Sequence, residues 1–88
     1  MPETPIGRVG RIAQSLDPSE VGSFVEIVDD TGGSTGGAYV CTWSADGGGD
    51  GWVESLEDVD HYVAESGWII EWYDDVPPEA QDRRPHHA

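Results

Sequence analysis

Four carboxylates between positions 46 and 57 are spaced as ligands for a hard divalent cation. Counting Asp46 as position 1 puts Asp50 at 5, Glu54 at 9 and Glu57 at 12, with Gly51 at the sharp turn and the Trp52 carbonyl after it. Oxygens in such a row suit Ca²⁺, but position 3 is Gly48, which removes one ligand, and three successive glycines raise the entropy lost on ordering. Any binding here is expected to be weak. His61 lies one turn from Glu57 and Asp58 on one side and Glu65 on the other, although a lone imidazole among acids reads more simply as a solvated helix face. Cys41 falls in an apolar run with no basic neighbour to generate a thiolate, so it is read as a small buried hydrophobe. The acid pairs Asp29-Asp30, Glu57-Asp58 and Asp74-Asp75 suit turns and caps, and the glycine stretches lack the lysine of a phosphate loop. No coupled set of titrating groups emerges, and 88 residues leave little room for an enclosing pocket. The chain is therefore expected to be no enzyme and to need no cofactor.

The 46–57 segment resembles the calcium loop of the EF-hand family, and that resemblance implies Asp46, Asp50, Glu54 and Glu57 as metal ligands. It covers twelve of the 88 residues, and the stretch ahead of it reads as strand where that family has a helix.

Charge is the strongest whole-chain signal. Eighteen Asp and Glu face four Arg and no Lys, for a net charge of −14. All four arginines are terminal: the 71 residues between Arg11 and Arg83 hold 17 acids and no Lys or Arg, so this block cannot neutralise itself by internal ion pairs. Spread over a folded chain of this mass, the charge is roughly one per 360 Å², against one per ~110 Å² on a nucleic-acid duplex; gathered on one hemisphere it comes within a factor of about two. Such a surface repels nucleic acid and anionic membrane, and its natural complement is a basic protein.

Four tryptophans supply both core mass and interface anchors. Trp43, Trp68 and Trp72 are the natural core fillers. The candidate partner-binding set takes Trp52 and Trp72 as anchors inside a charged ring of Glu57, Asp58, Glu65, Asp74 and Asp75.

The elements that must carry these residues follow from periodicity and turn chemistry. Ser23 to Asp29 and Ala38 to Ser44 read as a hairpin across the glycine-rich Asp30 to Gly37, with Tyr39, Cys41 and Trp43 expected on the core face. Asp46 to Gly51 reads as a turn, and Trp52-Val53 as a short bridge. Ser55 with Asp58 starts a helix whose stripe is Leu56, Val59, Tyr62 and Val63, and Gly67 sits where a left-handed C-cap is wanted. Trp68 to Tyr73 alternates as a strand does. Asp17-Pro18-Ser19-Glu20 signals a helical turn. The path of residues 6–16 stays open, since Gly7 and Gly10 weaken a helix while strand pairing also fits.

The order β-β-α-β thus predicts an α+β fold: a small antiparallel sheet of three to four strands with one main helix on one face. Residues 1–5 read as a disordered lead, 6–76 as a single domain and 77–88 as a flexible Pro/Arg/His tail. One helix covers only one sheet face, so aromatics on the other face must meet solvent, a partner or a second copy in a homodimer. The longest apolar run is four residues, Ala38 to Cys41, too short for a membrane span or a secretory segment, and a single cysteine makes no internal disulfide; the expected compartment is the cytoplasm. In size and charge the chain is similar to bacterial immunity proteins and phage-encoded DNA mimics. That points to a small acidic, non-enzymatic module, of an inhibitor, immunity or DNA-mimic type, that covers a basic surface of a partner protein. The competing readings are a salt-adapted or high-GC-genome housekeeping domain whose acidity is generic, and a weak calcium-binding protein.

Overall fold

The computed structural model describes residues 5–45 and 47–81. The sequence-based expectations for residues 1–4, for Asp46 and for 82–88 lie outside these described residues.

Five strands form one antiparallel sheet: β1 (Val9–Gln14), β2 (Phe24–Asp29), β3 (Ala38–Ser44), β4 (Gly47–Val53) and β5 (Ile69–Trp72), in the order β4-β3-β2-β1-β5. The main helix α1 (Leu56–Glu65) joins β4 at one edge to β5 at the other, crossing one face of the sheet. The fold is α+β as expected, but with five strands in place of three or four and a different order. Both extra strands come from segments whose glycines leave no strand signal in the sequence.

The first is β1. Gly10, its second residue, sits under Ile70 and Trp72 of β5, where a Cβ would lie 2.6 Å from the Ile70 side chain and 2.8 Å from the indole. A residue poor in intrinsic strand preference is here the one that lets two strands close. The second is β4, read from sequence as a turn. Its four glycines pair in continuous register with β3, from Ser44 opposite Gly47 to Ala38 opposite Val53. A Cβ at Gly48 would collide with the Thr42 carbonyl, and one at Gly51 would approach the Tyr62 hydroxyl at 3.0 Å. Close packing overrides local preference at both positions.

α1 starts where expected. The Asp58 N–H donates to Ser55 Oγ at 3.3 Å, and the Ser55 hydroxyl donates to Asp58 Oδ2 at 3.1 Å. It ends at Gly67, φ +67°, with the Gly67 and Trp68 N–H groups reaching back to the carbonyls of Ala64 and Val63. The expected stripe faces the sheet: Val59 is fully buried, and Leu56, Tyr62 and Val63 pack on a core of Ile12, Val25, Ile27, Ala38, Val40 and Trp68.

This core reverses one expectation. In β3 it is Ala38 and Val40 that face the helix, while Tyr39, Cys41 and Trp43 face the opposite side. That side has a second cluster of Val9, Cys41, Trp43 and Ala80, with Phe24, Val28, Tyr39, Tyr73 and Val76 against it. The chain covers it with its own C-terminal segment: a short helix α2 (Pro78–Gln81) buries Ala80, and the Trp43 indole N–H donates to the Ala80 carbonyl at 2.6 Å. The stretch from 77 to 81, expected to be tail, is thus docked, and much of the face offered to a homodimer is occupied.

Candidate protein-binding site

Trp52 is the aromatic side chain the fold leaves most open, 46% exposed on the edge strand β4. Its position is built from the preceding loop. The Asp30 carboxylate accepts from the Thr35 N–H at 3.1 Å and from the Thr35 hydroxyl at 2.5 Å, and Thr35 Oγ1 accepts from the Trp52 indole N–H at 3.0 Å. The indole lies over Gly37, where a Cβ would come within 2.6 Å of the ring. The glycine-rich connection is therefore an organised loop that holds one indole at the sheet edge. An anchor held this way loses less rotamer entropy on binding than a free one.

Beside it, α1 and the edge of β4 enclose an open cleft of about 370 Å³ lined by Trp52, Val53, Glu54, Asp58, His61, Tyr62 and Glu65. Glu54 after β4 and Asp58 and Glu65 on α1 contribute carboxylates to its lining, and His61 Nε2 lies 2.8 Å from Glu65 Oε1 with both side chains largely in solvent. Glu57 is exposed on the same helix outside the cleft. The cleft is open to solvent and sets carboxylates beside an aromatic surface, an arrangement that can attract a cation.

The fold does not bring the whole sequence-derived set together. Trp52, Asp58 and Glu65 meet in the cleft. Trp72 lies on β5 at the opposite edge, with β3, β2 and β1 in between, and packs against the helix-side core over Gly10. Asp74 and Asp75 are exposed just beyond it. A single ring of acids around both tryptophans is thus not formed, because β5 pairs with β1 and not beside the hairpin.

Over the described residues 47–57 the calcium-loop geometry is also not formed: Asp50 stands in the middle of an extended strand opposite Cys41, and Glu54 and Glu57 follow after the strand and in the helix, while Asp46 lies outside the described residues. Among the described residues no three metal-ligating side chains gather.

Sequence reasoning missed the Asp30-Thr35 brace, whose signal was an Asp and a Thr spaced across a glycine run, and the place of Tyr62 in the cleft; the neighbourhood of His61 with Asp58 and Glu65 was legible from their helical spacing.

Away from the cleft, electrostatics reflects local bonding. Hydrogen bonds from the hydroxyl and N–H of Ser19 lower the pKa of Asp17, and those from Thr31 do the same for Asp29. Cys41 is fully buried between Asp50 on β4 and Glu26 on β2; burial first, then the two carboxylates, push its thiol up to about 11. A protonated, enclosed thiol is no nucleophile.

Comparison of the chain with protein-family models, curated proteins and solved structures found no match.

Proposed function

We propose that this protein is a small, acidic, non-enzymatic binding module that covers a basic surface of a partner protein, in the manner of an inhibitor or a DNA mimic. The observation that carries the reading is the acid-lined cleft between β4 and α1 with a half-exposed, braced indole at its side. Opposite potentials speed encounter, and an aromatic anchor then supplies affinity that charge alone does not. The net charge of −14 argues against nucleic acid or an anionic membrane as the direct ligand. Among the described residues no helix is long and apolar enough to cross a membrane. A cytoplasmic setting fits a chain whose one cysteine is buried.

The test is a triple variant, Glu54→Lys, Asp58→Asn and Glu65→Lys, the middle change keeping an acceptor for Ser55. With a basic partner captured from the native host at low salt, its association rate is expected to fall roughly tenfold or more. An unchanged rate sinks the reading.

A second reading, generic acidity in a salt-rich cytoplasm, draws support from the acids spread outside the cleft, among them Asp17, Asp29, Glu71, Asp74 and Asp75, all exposed. Thermal melts separate the two: a fold that needs molar salt supports generic acidity, and one stable in dilute buffer supports the binding module.

A further inference from the structure

β4 ends the sheet, with β3 on one side and, among the described residues, no strand on the other. In an antiparallel pair, alternate residues turn both backbone groups toward the partner strand, and the others turn them away. The Asp30 N–H donates to the Gly37 carbonyl, so along the β2–β3 register Tyr39, Cys41 and Trp43 bond to β2, and Ala38, Val40, Thr42 and Ser44 turn their backbone groups to β4. Counting along the register, Gly49, Gly51 and Val53 face inward, so Gly48, Asp50 and Trp52 turn their N–H and C=O outward.

Natural edges of this length are usually blocked by a lysine, a proline or a bulge. β4 has none of these: its seven residues are four glycines, Asp50, Trp52 and Val53, in unbroken register. What guards it is charge. A second copy would bring Asp50 toward another acidic edge and join two chains of net charge −14, which like-charge repulsion opposes. A cationic strand meets the reverse: Asp50 on the edge itself and Glu54, Asp58 and Glu65 along the adjoining cleft.

We propose that the β4 edge takes an extended arginine- or lysine-rich segment of the partner protein as a sixth strand, a mode that rests on the acidic-module reading and specifies how the module holds its target. Backbone hydrogen bonds from Gly48, Asp50 and Trp52 fix the strand; basic side chains on its helix-side face reach Glu54, Asp58 and Glu65, and one on the other face reaches Asp50. The bare glycines keep the approach free of side chains.

The experiment titrates the full isotope-labelled chain at low salt with an acetylated peptide of about nine residues alternating Thr and Arg, long enough to run along the edge. A matched peptide carries N-methyl groups on the amides that would face β4. The expected result is slowed amide exchange at Gly48, Asp50 and Trp52 with the plain peptide, and binding about tenfold or more weaker with the methylated one. Equal binding of the two peptides without protection of those three amides overturns strand addition while leaving charge capture standing. Failure of both peptides to bind overturns both. Protection of the same amides in the free protein that grows with its own concentration assigns the edge to a second copy and overturns the basic occupant.

Discussion

Adjacent glycines in β4 do opposite things. A Cβ at Gly48 would strike the Thr42 carbonyl and the Trp43 backbone, whereas one at Gly49 meets open space. Gly48→Val is therefore expected to cost about 1–3 kcal/mol, and Gly49→Val to be neutral or stabilising because a β-branched residue suits a strand. Urea denaturation of the two variants checks this, and equal effects would contradict the packing described. Cys41 gives a second residue-scale prediction. Its thiol has a folded pKa of about 11 against an ordinary 9.0, so the neutral form is favoured in the fold. The stability this contributes is fully present below pH 9 and is lost as the pH rises toward 11, where the unfolded chain ionises first. Cys41→Val should remove that part of the alkaline slope, measured as the difference between the two proteins' denaturation midpoints at pH 8 and pH 10.5.

At the scale of elements, two short pieces settle what a single helix could not. α1 covers one face of the sheet, and α2 covers the other through Ala80 and the hydrogen bond from Trp43. Trp43→Phe keeps most of the ring but leaves a carbonyl on a buried residue without its donor. The expected loss is about 1–3 kcal/mol, together with faster amide exchange across 78–81. Exchange there at the wild-type rate would mean that apolar contact alone docks the segment. The hairpin, the helix and β5 were legible in the sequence because each has a local signal: Phe24 to Asp29 and Ala38 to Ser44 are short runs rich in β-branched and aromatic residues on either side of a glycine-rich stretch, Trp68 to Tyr73 alternates, Ser55 caps, and Gly67 stops. β4 was not, since four glycines have no side-chain period to read and their strand state comes wholly from β3 beside them.

For the whole molecule, charge works against compactness as well as for recognition. With 17 acids and no Lys or Arg between Arg11 and Arg83, added salt screens repulsion that the fold does not relieve internally. The melting temperature is expected to rise steadily with sodium chloride from dilute buffer to about 0.5 M, where the Debye length has shrunk to roughly 4 Å, while association with a basic peptide weakens over the same range. Opposite signs for stability and binding are the signature of this arrangement. A melting temperature indifferent to salt would show that the acids lie too far apart to repel.

By itself the sequence determined the sign of the surface, the α+β class and the helix with its caps, because composition, local period and capping chemistry act over a few residues. Only the tertiary structure decided that Gly10 and Gly48 belong to strands, that Tyr39, Cys41 and Trp43 turn away from the helix, and that Trp52 and Trp72 lie at opposite edges. Those outcomes depend on which strand pairs with which, and pairing is set by contacts between residues far apart in the chain, where a missing side chain counts for as much as a present one.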